Sequence, residues 1–142
     1  MDQQPTTPSL PAEPPPAPPD ALTAVEAFYA AGHWLYAQER FDDAVTVFRA
    51  VIRLAPRDER GWLALGACNE ALERHDVALE LYDEARRVAS TAPRCGLARA
   101  RILRVRGMHD DAREAFADAE QAAQQMDDDE LCALIAAERR RA

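Results

Sequence analysis

Apolar residues recur every three or four positions along most of the chain, which is the period of an amphipathic α-helix. Between residues 21 and 38, Val25, Phe28 and Leu35 fall on one helical face. Phe41 opens a second helical stretch, which Pro56 terminates because proline cannot continue a helix. The pattern predicts short helices joined by short turns, and therefore an all-α fold.

The helical pattern repeats at a spacing of 34 residues. Glycine stands at 32 and 66, alanine at 44, 78 and 112, and an aromatic residue at 48, 82 and 116. We expect the small residues to let the two helices of a unit cross closely, and the aromatic ring to fill the wedge between units. This spacing is the length of one tetratricopeptide unit, a pair of antiparallel helices.

The register predicts an α-solenoid of three tetratricopeptide-like helix pairs followed by a C-terminal capping helix, within one domain of residues 20–142. The units cover about 25–58, 59–92 and 93–126, and the capping helix covers about 129–141. Acidic residues at 127–130 and arginines at 139–141 suit the two ends of the dipole of that last helix. No unit buries its apolar face alone, so stability comes from stacking.

Residues 1–19 differ from the rest of the chain in composition, since eight of the ten prolines lie there. Proline lacks an amide donor and fixes φ, so this segment forms neither a helix nor a strand ladder. We expect a disordered or polyproline II tail outside the core.

The chain has a formal net charge of −8, and its 17 basic side chains are all arginine. Net acidity argues against nucleic-acid binding, because phosphate contacts need a basic surface. There is no apolar run of 18 residues and no start typical of a secretory signal, so we expect no membrane insertion and a cytoplasmic location. Cys68, Cys95 and Cys132 are widely separated, as expected for reduced thiols in the cytosol.

The residues that carry chemistry are scattered. His33, His75 and His109 are isolated, and the five glycines form no phosphate-binding loop. No serine or cysteine lies in a nucleophile signature. We therefore expect no catalytic residue, no metal site, no cofactor and no enzyme activity.

In a solenoid of this kind the first helix of each unit lines the concave surface. The inward positions not used for packing predict a groove with tyrosines at one end, small apolar residues in the middle and arginines at the other end. The candidate groove residues are Tyr29, His33, Tyr36, Leu63, Ala67, Glu70, Leu97, Arg101 and Arg104, and Glu26, Arg60 and Arg94 occupy further inward positions of the same helices. Aromatic anchors in a groove suit an extended peptide.

Both ends of this predicted groove have an alternative interpretation. The tyrosines at 29 and 36 also suit packing under the N-terminal segment or a self-association surface. The arginines also suit internal ion pairs with acidic residues of the neighbouring helix, namely Asp110, Asp111, Glu114 and Asp118.

Three strings stand out in residues 28–120. They are Phe41-Asp42-Asp43-Ala44 followed by Phe48, Leu65-Gly66-Ala67-Cys68, and Ala92-Pro93-Arg94 at the start of the third unit. The second string and the Pro-Arg start of the third unit are more specific than the general repeat. Together they resemble the class II chaperones of bacterial type III secretion, which hold hydrophobic translocator proteins. The proline-rich start and the string at 95–97 depart from that family's pattern.

The resemblance implies a cytoplasmic, non-enzymatic chaperone that binds an extended segment near the N-terminus of a translocator and keeps it soluble before secretion. It also implies homodimers through the N-terminal helix in some members. Carried over by position, Tyr29, His33, Tyr36, Leu63 and Ala67 would form the peptide pockets. The alternative is a general tetratricopeptide adaptor that joins folded cytosolic proteins.

The tail suggests one further hypothesis. The stretch from Pro5 to Pro11 has prolines three residues apart and a leucine, as expected of a ligand for such a groove. It would then occupy its own groove, or that of a neighbouring molecule, until a client displaces it. A low-complexity linker is the alternative.

Overall fold

The computed structural model describes residues 21–89 and 91–141, and every regular element in these ranges is an α-helix. The helices are α1 (Ala21–Ala37), α2 (Phe41–Leu54), α3 (Glu59–Ala71), α4 (His75–Val88), α5 (Pro93–Val105), α6 (His109–Gln125) and α7 (Asp129–Arg139). The predicted all-α class with sequential helix pairs is confirmed. The predictions for the tail of residues 1–19 lie outside the described residues.

Two aspartates determine where helices begin. Asp58 precedes α3 and accepts a hydrogen bond from the backbone amide of Arg60 at 3.0 Å. Asp128 precedes α7 and accepts one from the amide of Leu131 at 3.0 Å. Each carboxylate satisfies an amide that has no partner within its helix, and its charge suits the positive end of the helix dipole.

The turn within each pair reverses the chain through one residue with a left-handed backbone. These residues are Glu39 (φ 59°), Glu73 (φ 59°) and Gly107 (φ 76°), which occupy equivalent positions in the repeat. Only the third unit has the residue that adopts this conformation without steric cost.

Glycine allows the helices of the first two pairs to cross closely. A Cβ atom on Gly32 would lie 2.5 Å from the ring of Phe48, and one on Gly66 would overlap the ring of Tyr82. The aromatic ring therefore packs onto the glycine of its own unit. Phe48 also shares a buried cluster with Leu65 of the next unit, so the ring stabilises the crossing as well as the predicted wedge between units.

The first helices of the pairs lie side by side, because α1 contacts α3 and α3 contacts α5. Helix α7 follows as the next element of the stack and packs on α6. Its residues Leu131 and Ile135 are buried in the C-terminal cluster, as predicted for a capping helix, whereas Leu134 is exposed. Within the described ranges no helix has the length and apolarity needed to cross a membrane.

Candidate functional site

A groove of about 700 Å³ runs across the first helices of the three units, past the middle of α1 and the N-terminal turns of α3 and α5. It is lined from α1, α3, α5 and the segments that join the units. The lining residues are Tyr29, Arg57, Asp58, Glu59, Arg60, Leu63, Thr91, Arg94 and Met126.

Tyr29 forms the aromatic wall of this groove. Its ring contacts His33 at a centroid distance of 4.4 Å and Phe48 at 6.0 Å, both edge-on. The guanidinium carbon of Arg60 lies 4.9 Å from the centre of the same ring, within the range of a cation–π contact. Burial raises the pKa of the Tyr29 hydroxyl. The ring is thus held in place while its outer part remains open to a ligand.

Ion pairs connect successive units at one position of the repeat. Arg60 Nη2 lies 2.6 Å from Glu26 Oε1, and Arg94 Nη2 lies 3.1 Å from Asp128 Oδ2. The hydrogen bond from Arg60 lowers the pKa of Glu26 and also that of Asp58. These arginines are oriented by carboxylates on both sides, so the charged edge of the groove is ordered without a ligand.

Glu59 is buried at the junction of α3 and α5. Its Oε2 accepts hydrogen bonds from the backbone amides of Arg94 at 3.1 Å and Cys95 at 3.2 Å, which caps the first turn of α5. Its Oε1 makes no hydrogen bond and lies 3.5 Å from Arg94 Nη1. Burial raises the pKa of Glu59. This carboxylate therefore joins the second unit to the third beneath the groove.

The other apolar and aromatic candidates divide between the groove and its surroundings. Leu63 is half-buried and lines the groove, and Ala67 is half-buried one turn further along α3. His33 is exposed and its ring lies 5.5 Å from that of Phe48. Tyr36 is exposed, with its ring edge-on to Phe41 at 5.1 Å, and lies outside the cavity.

Arg101 and Arg104 of α5 pair with α7. Arg101 Nε donates to Glu138 Oε2 at 2.9 Å, and Arg104 Nη2 lies 3.6 Å from the same oxygen. The hydrogen bond from Arg101 lowers the pKa of Glu138. The internal pairing that the sequence left open is therefore present, but its partner is the capping helix and not the acidic residues of α6.

Leu97 does not line the groove as predicted. It is 4% exposed and belongs to the C-terminal core cluster with Phe116 and Ile135. The prediction was wrong because α6 and α7 together cover this side of α5. The third unit therefore contributes to the groove mainly through Arg94, in the N-terminal turn of α5.

Glu70 also lies apart from the main groove. Its Oε2 accepts a hydrogen bond from the Tyr82 hydroxyl at 2.5 Å, and it lines a separate cavity of about 170 Å³ together with Arg101. Burial, followed by the bond to Glu70, raises the pKa of Tyr82. Glu70 therefore has a role in packing within the second unit.

Sequence reasoning missed the groove residues that lie between helices. Arg57 and Thr91 come from inter-unit segments, and Met126 comes from the turn before α7. The helical period says nothing about such residues, because it applies only within helices. The sequence signal that could have indicated this region is Asp58, because a helix-capping residue stands there directly before a stretch with the helical apolar period.

The remaining chemistry of the described residues does not form a second centre. Among residues 21–89 and 91–141 no group of three or more His, Cys, Asp or Glu side chains is placed to hold a metal ion. The three cysteines are free, and burial raises the pKa of Cys68 to about 11. A thiol of that kind is a packing element rather than a nucleophile.

The stacked helix pairs and the groove along their first helices define a tetratricopeptide-type binding protein, and the tetratricopeptide repeat family model matches residues 29–93. The low calcium response locus protein H of Yersinia pestis is 34% identical over 58 residues, which are 41% of this chain and 34% of that protein. The match thus spans about a third of that relative's length.

Solved structures cover more of the chain. PcrH from Pseudomonas aeruginosa has a TM-score of 0.69 and 31% identity, over 80% of this chain and 86% of PcrH. A structure of PcrH in complex with the chaperone binding region of PopB has a TM-score of 0.68 and 30% identity, over 80% of this chain and 92% of the PcrH chain. The chain belongs to the class II translocator chaperones of type III secretion, a non-enzymatic family with tetratricopeptide repeats.

Proposed function

We propose that this protein is a cytoplasmic bacterial chaperone for a secreted hydrophobic translocator. It binds an extended segment near the N-terminus of its client in the groove between α1, α3 and α5, and keeps the client soluble before type III secretion. Support comes from the similarity to PcrH, which has been solved with the chaperone binding region of PopB. It acts without a cofactor.

The groove carries this proposal. Tyr29 and Leu63 each pack against a core cluster on one side and leave apolar surface open in the groove on the other. A pair of half-buried apolar side chains along one line suits a peptide that places an apolar or proline side chain at intervals. Arg57, at the rim, is suited to a client carboxylate, because it makes no ion pair within the described residues.

The peptide contacts divide among the candidate residues according to where the side chains lie. We propose that Tyr29 and Leu63 are the anchors, with Ala67 and His33 adjoining them and Tyr36 at the edge. Glu70, Arg101 and Arg104 support the second and third units. The units 25–58, 59–92 and 93–126 and the cap 129–141 remain our proposal for the division of the chain.

A homodimer through α1 is part of the same proposal. Phe28 on this helix is 42% exposed, and α1 has packing partners only on the side of α2 and α3 among the described helices. A partner molecule would cover that exposed ring. Sedimentation of the wild type and of Phe28→Glu distinguishes a dimer from a monomer. If the wild type were monomeric, the proposed homodimer would be wrong, whereas the proposal for the groove would be unaffected.

The experiment that tests the function is co-expression with secreted proteins encoded nearby, followed by purification and limited proteolysis of each complex. We expect a membrane-active protein to become soluble, with a short segment near its N-terminus protected. Leu63→Glu should abolish the protection, whereas Glu80→Gln on the opposite helix should leave it intact. Copurification of folded, already soluble partners alone would favour the adaptor instead.

A further inference from the structure

The sequence of residues 1–20 has a regularity that the proposed function does not use. Prolines stand at 5, 8, 11 and 14, each three residues from the next. A polyproline II helix has three residues per turn, so these four prolines would share one face of it. The prolines at 15, 16, 18 and 19 all fall off that face.

The point of attachment of this segment is close to the groove. Helix α1 begins at Ala21, and Tyr29 follows eight residues later, about 12 Å along the helix axis. Ala21 is seven positions after Pro14, and this stretch spans at most about 23 Å when extended. The connection is therefore long enough for residues 5–14 to be placed at the groove of their own molecule.

The chemistry of the groove suits this segment. Polyproline ligands dock on aromatic and apolar side chains, which Tyr29 and Leu63 supply. Residues 1–20 contain three carboxylates and no arginine or lysine. Opposite them the groove offers Arg57, which makes no ion pair among residues 21–89 and 91–141. Arg94 pairs with Glu59 and Asp128, but its side chain is still 46% exposed.

We propose that residues 5–14 occupy the groove of their own chain when no client is bound, and that a client must displace them. This inference rests on the proposed function of the groove. The face with the four prolines contacts Tyr29 and Leu63, and Glu13 lies next to Arg57. The segment is an internal competitor that covers the apolar groove until a better ligand arrives.

The expected strength of this competition follows from tethering. A short linker gives an effective concentration of about 1 mM, so a segment with an intrinsic Kd of about 0.1 mM weakens any competing ligand about tenfold. An effect of this size is large enough to measure. It is also small enough for a tightly binding client to overcome.

The test titrates a fluorescent peptide of residues 4–15 against three full-length proteins. They are the wild type, a variant with Pro5→Ala, Pro8→Ala, Pro11→Ala and Pro14→Ala, and a matched control with Pro15→Ala, Pro16→Ala, Pro18→Ala and Pro19→Ala. We expect the first variant to bind the peptide about tenfold more tightly than the wild type. The control should stay within about twofold of the wild type, and circular dichroism should show the same helicity in all three.

Equal affinity in the three proteins would overturn the proposal, and so would a failure of the peptide to bind the first variant. A difference that disappears on dilution of the protein would also overturn it, because a competitor in the same chain acts at any concentration. Leu63→Glu added to the first variant should remove peptide binding. The two proposals can fail separately. If the three proteins bind the peptide equally but client binding still requires Leu63, the proposed function stands and the internal competitor is ruled out.

Discussion

The ring of Tyr82 in α4 lies directly over Gly66 in α3, so that a single added carbon on Gly66 would overlap it. Tyr82 is fully buried, and its hydroxyl is held by Glu70 at 2.5 Å. The ring therefore has no room to move away. This contact closes the second helix pair, and the groove residue Leu63 lies on the same helix as Gly66.

Gly66→Leu should unfold the stack, because overpacking a crossing costs roughly 1–3 kcal/mol or more, and here the neighbouring ring cannot yield. Thermal unfolding followed by circular dichroism measures the effect. Ala67→Leu, one residue further along and half-buried, is the matched control and should unfold near the wild-type temperature. A wild-type midpoint for Gly66→Leu would contradict the crossing.

The left-handed turns predict opposite effects for two substitutions. Glu73→Gly should stabilise the protein by about 0.5–1 kcal/mol, because glycine adopts a φ of 59° without the steric cost that glutamate bears. Gly107→Ala should destabilise it by about 1 kcal/mol, although nothing lies within 4 Å of the added Cβ. Urea midpoints compare both with wild type, and changes of the same sign would refute the explanation.

The pair between Arg101 and Glu138 predicts a dependence of stability on pH. The pKa of Glu138 is lowered in the folded state, so its contribution is present above the unfolded pKa and is lost as the pH falls through the folded pKa. Glu138→Gln should therefore lower the free energy of unfolding at pH 7, and its difference from wild type should shrink in acid.

Urea unfolding between pH 7 and pH 3 checks this expectation. Glu80→Gln serves as the control, since Glu80 is exposed and makes no ion pair within the described ranges. If the free energy of unfolding of both variants differed from that of the wild type by a constant amount between pH 7 and pH 3, the capping helix would not depend on the Glu138 carboxylate.

The groove geometry predicts that Leu63 matters more than Tyr36 for client binding. Leu63→Glu should cost roughly 1–3 kcal/mol of binding free energy, the usual loss for a buried anchor. Tyr36→Ala should cost less, because that ring packs on Phe41 outside the cavity. Titration of the client segment defined by proteolysis measures both. A larger loss for Tyr36→Ala would place the peptide further towards the C-terminus of α1.

The helical architecture was predictable from the sequence because its determinants are local. The apolar period identifies a helix, proline and aspartate identify where it ends or begins, and the spacing of Gly32 and Gly66 identifies the repeat. Each of these signals depends on neighbours within a few turns or on a comparison of the chain with itself. Helix α2 begins at Phe41, as predicted.

Tertiary structure alone decided which inward positions stay open. The period of α5 shows that Leu97, Arg101 and Arg104 share a face. It does not show that α6 and α7 bury Leu97, or that Glu138 pairs with both arginines. The period is likewise silent on Arg57 and Met126, which reach the groove from outside the helices. A repeat determines the face of each helix, whereas the element that next packs on that face determines whether it is core or surface.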